Sequence, residues 1–312
     1  MRKAALIVCL VFFCAPLSIA QDYEGVDATI ELYPKRFKSA EELSSFISRD
    51  FQMEEEKVRA IYTWIIQNVA YEPDEYKKFN FNFKNYRERN QKEEKTRKKV
   101  IARTLQEGIA VCEGYAMLFE RLCELQGISN YLVRGDIKTH FNDIGRPFRK
   151  THMWNVAYID GKPYLFDPTW GAGKYREKFI KEPSYFYYKT PPELFINTHY
   201  PHQGEDTFID PGFSKQDFAN MPFIISHDVT LQQLNRQKEG VISSQVDDGT
   251  IPFSIQVNDV ERVSYSYTLG KEVKEAEISK GDTLDFSIPI ELGSENLLIY
   301  FNDKPALGYK IK

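Results

Sequence analysis

Cysteine is scarce in this chain, four residues in 312, and that scarcity excludes a scaffold held together by disulfides. Neither charge is in excess, with 41 Lys and Arg against 45 Asp and Glu, so the composition asks for no nucleic-acid partner. Fixed-period repeats and low-complexity tracts are missing too, which excludes a solenoid. Histidine occurs only five times, so each one can be weighed by itself.

What is present is an ordinary globular composition, 42% hydrophobic and 14% aromatic, in a chain long enough for two domains. The first twenty residues stand apart. Arg2 and Lys3 precede an apolar stretch from Ala4 to Ala15, and Ser18 and Ala20 supply the small residues of a cleavage site. The stretch is too short for a good membrane span. These features predict an export signal at 1–20, a secreted or periplasmic location, and no stable membrane span after cleavage. Cys14 follows Phe12 and Phe13 rather than the small residues that a lipidation site wants.

Cleavage near Ala20 leaves two cysteines, both in "AVCEGYAMLFERLC", residues 110–123. The string reads as a helix that begins near Cys112 and stops before Gly127. Eleven residues of helix separate the two Cα atoms by about 16 Å, and a disulfide needs less than about 7 Å. The two thiols therefore cannot pair within the chain. Cys123 continues the apolar stripe of Ala116 and Phe119 and reads as core. Cys112 sits at a helix start, where backbone N–H groups and the helix dipole favour a thiolate.

Upstream, residues 39–71 read as two helices with Ser39 as a cap. In the second, Val58, Ile61, Tyr62, Ile65 and Ile66 recur at helical spacing. Residues 72–91 have no steady period and read as a long surface loop. Residues 97–107 read as a helix, and the mixed charges of 93–103 as a solvated face. Downstream come short β-branched and aromatic segments. From about residue 220 five or six alternating segments predict a small β-sandwich of immunoglobulin-like type. The expected organisation is a signal at 1–20, a first domain at 21–205, a linker at 206–219 within the Pro-rich, polar stretch 191–216, and the sandwich at 220–312.

One histidine can be placed by geometry. In "HMWNVAYIDGKPYLFDPTW", Asp160-Gly161 is a favoured two-residue hairpin turn. That register sets Trp154 opposite Asp167 and His152 opposite Thr169, with all four on one face. His152 and Asp167 become diagonal neighbours within side-chain reach. A thiol at a helix start and an imidazole steered by a carboxylate are the parts of a Cys-His-Asp triad.

The strings Cys-Glu-Gly-Tyr (112–115) and Phe-Asp-Pro-Thr-Trp (166–170), with "IYTWIIQNVAYEP" and "PELFINTHYP", resemble the transglutaminase-like superfamily, and within it the kyphoscoliosis-peptidase-like branch, over residues 40–205. The resemblance implies an α+β fold: a papain/transglutaminase-like core with the Cys-bearing helix packed on an antiparallel sheet, followed here by the all-β sandwich. It also implies Cys112 as nucleophile, His152 as general base and acid, and Asp167 as the residue that fixes the imidazole. The superfamily includes cross-linking transferases, peptidases, amidases and inactive members, so the reaction stays open between these.

The chemistry common to the active classes is acyl transfer on a protein or peptide amide, with no cofactor or metal required. The Cys112 backbone N–H is the natural oxyanion donor and Gln106 a second candidate, while Trp154 and Trp170 are candidate cleft walls. "HYPH" spaces His199 and His202 three apart with Glu205 and Asp206 following, a pattern that could hold a metal, although loop residues explain it as well. His140 and His227 have no evident partner. The competing reading is a non-catalytic binding or scaffold protein whose sandwich docks a protein or cell-envelope partner.

Overall fold

A computed structural model describes residues 23–78, 86–209, 212–245, 248–267 and 272–312. The expected export signal, with Cys9 and Cys14, lies outside the described residues, as do residues 79–85 of the expected loop and 210–211 of the expected linker.

The first layer is helical. Helix α1 (Tyr23–Glu31), which the sequence pattern did not announce, packs on α3 (Glu54–Asn68), and α2 (Ala40–Asp50) precedes α3 in the chain. Ser39 caps α2 as expected, its hydroxyl accepting from the Glu42 N–H at 3.2 Å. Val58, Ile61, Tyr62, Ile65 and Ile66 are fully buried in α3, each contributing roughly 1.5–3 kcal/mol of burial. Strand β1 (Ala70–Tyr71) pairs in parallel with β2 (Ile109–Ala110).

Between them runs α4 (Tyr86–Glu107), longer than the 97–107 helix expected from sequence. The pattern hid it because residues 87–99 are all polar and carry no apolar stripe, while Val100, Ile101 and Leu105 further on are buried. Its charges find partners: Arg97 pairs with Glu120, and Arg103 with the buried Glu75 at 2.5 Å. The 93–103 run is thus a face partly turned to α5 (Cys112–Leu125), not wholly to solvent.

The chain then forms β3 (Asn130–Ile137), β4 (His152–Ile159) and β5 (Lys162–Phe166), the short helix α6 (Pro168–Gly171), and the hairpin β6 (Gly173–Tyr175) and β7 (Phe179–Lys181). It continues through β8 (Tyr188–Thr190), α7 (Pro192–Phe195) and β9 (His199–Pro201). Five of these strands make one antiparallel sheet in the order β8-β5-β4-β3-β9. Helix α5 lies on it, with the Phe119 ring tilted against Phe166 at 5.2 Å and the Asn155 amide donating to the Ala116 carbonyl at 3.0 Å. Cys123 is fully buried beneath, a free thiol in the core.

Helix α8 (Lys215–Asn220) falls in the stretch read as linker, and β9, from the same stretch, completes the first sheet. Lys138, directly after β3 and 1% exposed, donates from Nζ to the carbonyls of Phe218 at 2.7 Å and Met221 at 2.6 Å. Beyond it lie β10 (Phe223–Ile224), β11 (Val241–Ile242), β12 (Thr250–Ile255), β13 (Val263–Ser266), β14 (Lys274–Ala276), β15 (Ile278–Lys280), β16 (Leu284–Pro289), β17 (Asn296–Phe301) and β18 (Lys304–Ile311). They form two sheets, β10-β18-β17-β13-β14 with β11 beside β18, and β12-β16-β15. Phe253 of one sheet meets Tyr309 of the other at 5.5 Å across a shared core, which makes a sandwich.

Candidate active site

The hairpin forms as its turn dictates. Asp160 and Gly161 both adopt positive φ, 50° and 73°, as a type I′ turn requires. Ile159 faces Lys162 and the ladder runs to Asn155 opposite Phe166. There it ends, one pair short of the expected Trp154–Asp167 and His152–Thr169 pairs. The physical reason is Pro168, which cannot donate to a ladder but starts a helix well. Asp167 becomes the N-cap of α6, its Oδ1 accepting from the N–H groups of Thr169 at 2.8 Å and Trp170 at 3.2 Å. The other carboxylate oxygen, Oδ2, meets Nε2 of His152 at 2.7 Å.

Cys112 opens α5, after Val111 leaves β2 in an extended conformation with ψ of 179°. The residue is 2% exposed and packs against Ala116, Met153 and Leu132. Its sulfur has polar neighbours among the described residues. The thiol form donates to Glu113 Oε2 at 3.2 Å, and the same sulfur interacts with His152 closely enough to favour its charged form. Since Nε2 of His152 is committed to Asp167, Nδ1 is the nitrogen left for the thiol.

Burial opposes charging His152, yet the Asp167 carboxylate outweighs it and, with a smaller contribution from Cys112, raises the ring from 6.5 to about 10. Asp167 is fully buried, which by itself favours the neutral acid, but His152 and then His199 hold it well below the usual carboxylate range. At neutral pH the pair is therefore imidazolium and carboxylate.

His199 is the member that sequence reading missed. It is fully buried, and its Nε2 meets the same Oδ2 at 3.0 Å while Nδ1 faces the Thr198 hydroxyl at 2.8 Å. Burial lowers this ring to about 4 against the pull of Asp167, so it is neutral, with Nε2–H donating to the carboxylate and Nδ1 accepting from Thr198. Pro201 ends β9 after three residues, too short a run to show which way His199 points. His202 is exposed and stacks on Phe148 at 6.1 Å, so the His199–His202 spacing makes no metal pair.

Trp154 is fully buried, its ring 6.1 Å from His152 and edge-on to His199 at 5.3 Å. It lies below the cluster as a floor; its Nε1 has no hydrogen-bond partner among the described residues. Trp170 is half-buried and stands edge-on to His199 at 4.6 Å. Gln106 is not at the site. It is exposed near the end of α4 and donates to the Lys38 carbonyl at 3.2 Å. The left-handed turn at Gly108, φ 68°, separates it from the approach to Cys112. His140 and His227 do have partners: His140 accepts from the Asn142 N–H, and His227 stacks on Phe186 at 3.6 Å.

Among the described residues, His152, Asp167 and His199 form the group with metal-ligand potential, their ligand atoms all within 4.8 Å of one another. Both Nε2 atoms already share one carboxylate oxygen through hydrogen bonds. A cation there has to displace the proton that His152 keeps to about pH 10.

Residues 41–168 match the family model of the transglutaminase-like superfamily. These residues are thus similar to a transglutaminase-like domain, and Cys112, His152 and Asp167 all fall inside the match. Within the superfamily the similarity runs to the kyphoscoliosis-peptidase-like branch: the chain is 31% identical to human kyphoscoliosis peptidase over 186 residues, 58% of this chain and 26% of that protein. Hillarin of Drosophila melanogaster is 27% identical over 130 residues, 36% of this chain and 16% of that protein. The chain spans about a quarter of the length of the human relative. A solved structure described as a TGase is similar at 17% identity and a TM-score of 0.29, covering 57% of this chain and 40% of that one.

Proposed function

We propose that this chain is an exported thiol enzyme that transfers acyl groups from amides of proteins or peptides, with Cys112 as nucleophile, His152 as acid and base, and Asp167 as the residue that orients the imidazole. The observation that carries the reading is the buried 2.7 Å contact of His152 Nε2 with Asp167, which leaves the other ring nitrogen to the Cys112 sulfur. A nucleophile, a base within reach and a third group that aligns the base are what covalent catalysis by a thiol needs.

In this mechanism the Cys112 thiolate adds to the amide carbonyl, and the oxyanion forms beside the first N–H groups of α5, where the helix dipole favours negative charge. His152 gives its proton to the departing amine as the carbon–nitrogen bond breaks, leaving a thioester. Water then attacks, His152 takes its proton, and the carbon–sulfur bond breaks to release acid and thiolate. A second amine in place of water gives cross-linking. Hydrolysis is the favoured outcome because cross-linking needs a site that excludes water and admits an amine. The C-terminal sandwich is assigned to docking a protein or cell-envelope partner.

One observation favours the non-catalytic alternative, the 2% exposure of Cys112. Iodoacetamide labelling decides between the two. Trypsin places Cys112 and Cys123 on separate peptides, 104–121 and 122–134. Fast labelling of the first near neutral pH, slowed by His152→Ala, supports the enzyme. Equally slow labelling of both, unchanged in His152→Ala, sinks it. A peptide library incubated with and without a primary amine, with Cys112→Ala as control, then separates cleavage from amine incorporation by mass spectrometry. Export predicts a mature N-terminus near Gln21.

A further inference from the structure

The side chain that touches the sulfur most openly is one the mechanism does not use. Glu113 follows Cys112 in the first turn of α5, and its Oε2 accepts from the thiol at 3.2 Å. Its carboxylate has no cation within 4 Å among the described residues, although the chain has 41 Lys and Arg. The other acid of the site differs. Asp167 is matched by His152 and two N–H groups.

The charge count follows from these contacts. With the proton on His152 and the sulfur as thiolate, the imidazolium offsets one of three negative charges: thiolate, Asp167 and Glu113. Among the described residues the site is left anionic, and the carboxylate without a cation is the one nearest the sulfur. Glu113 is also half-buried, as is Leu132, where Cys112, Ala116, His152 and Met153 are all buried, so these two side chains stand on the solvent side of the nucleophile's surroundings. Of these two, Glu113 is the one that presents a charge to a group approaching the sulfur.

We propose that Glu113 is a specificity-determining residue that selects polypeptide substrates with a cationic side chain, Lys or Arg, beside the amide attacked. The proposal rests on Cys112 being the nucleophile. An ammonium or guanidinium paired with Glu113 takes up the carboxylate oxygen that otherwise accepts from the thiol. The thiol, its acceptor taken, gives its proton to solvent, and the thiolate is held by Nδ1–H of the His152 imidazolium with the substrate cation already in place. An anionic substrate meets the same carboxylate as repulsion.

Small charged thiol reagents test this without knowledge of the substrate. The full chain is treated with methanethiosulfonates carrying a trimethylammonioethyl, a sulfonatoethyl or a methyl group, each rate being divided by that of the same reagent on a free thiol, and Cys112 is read on peptide 104–121. The cationic reagent is expected to outpace the anionic one by at least about tenfold, since a single charge a few ångströms away weighs that much in a partly solvated site. In Glu113→Gln the ratio falls towards one; in Glu113→Asp, which keeps the charge, it persists. Cys123 stays protected in every variant if the fold is intact.

A cation-to-anion ratio that Glu113→Gln leaves unchanged, with fast labelling of Cys112 by the neutral methyl reagent, overturns the role of Glu113 and leaves the enzyme reading standing. Slow neutral labelling of Cys112, indifferent to His152→Ala, overturns both.

Discussion

Asp167 and His199 meet through a single oxygen that already serves another ring: Oδ2 of Asp167 accepts from His199 Nε2 at 3.0 Å and from His152 Nε2 at 2.7 Å. A second donor on one carboxylate oxygen weakens its hold on the first. His199 therefore tempers the basicity that Asp167 confers on His152. Replacing His199 with Phe removes the donor and is expected to move the basic limb of the Cys112 alkylation profile up by about one pH unit, the worth of one hydrogen bond to a charged group. His199→Gln, which keeps a donor, restores the limb. If His199 only fills space beside Phe195 and Trp170, the Phe variant leaves the limb where it was.

The two imidazoles should titrate far apart. Nitrogen-detected NMR is expected to show His152 doubly protonated through pH 8 and His199 neutral down to about pH 5, in line with values near 10 and 4. Both rings return towards 6.5 on unfolding. The native state holds a proton on His152 that the unfolded chain releases, so this ring's contribution is complete below pH 6.5 and is lost as pH rises towards 10. His199 refuses a proton that the unfolded chain accepts; its contribution is complete above pH 6.5 and is lost as pH falls towards 4. In urea melts, the advantage over His152→Gln should narrow on the alkaline side and that over His199→Gln on the acid side. A common midpoint for both rings by NMR would contradict this assignment.

Gly135 supports the floor of the site. A methyl group there would lie 2.3 Å from Trp154 Cη2 and 2.2 Å from the Tyr200 carbonyl oxygen. Gly135→Ala has to push the indole towards His152 or open the β3–β9 pairing. Overpacking of this kind costs about 1–3 kcal/mol, and slower alkylation of Cys112 should accompany the loss. Unchanged stability in urea would show that the indole can yield.

Lys138 ties β3 to the C-terminal end of α8 by donating to carbonyls that a helix end leaves open. Lys138→Met keeps the length and removes the donors. It is expected to cost about 2–4 kcal/mol in a denaturant melt, because the Nζ hydrogen bonds are lost and buried carbonyls stranded. A cost below about 0.5 kcal/mol would mean that water replaces the ammonium.

How much of this was legible beforehand depended on range. The Asp160-Gly161 turn fixed a register, and the register set His152 near Asp167, because hairpin pairing is local and period two leaves no choice of face. Helix α5 was legible from its stripe and from Gly127, whose φ of 73° ends it. Pro168 was also visible, yet its effect, turning Asp167 from a ladder partner into a cap, depends on what the next turn packs against. His199 lies 32 residues from Asp167 on a three-residue strand, and nothing periodic can reveal such a neighbour. Gln106 shows the reverse failure, a spacing that suggested proximity until one left-handed glycine redirected the chain.

The double duty of Asp167 has a consequence for anyone who alters it. One of its oxygens begins a turn of helix and the other aligns two rings. Alanine at this position dismantles scaffold and chemistry in a single stroke, and the resulting loss cannot be apportioned between them. Asparagine retains an oxygen for one task only, and whichever way its amide settles will report which of the two the surrounding protein holds more dearly.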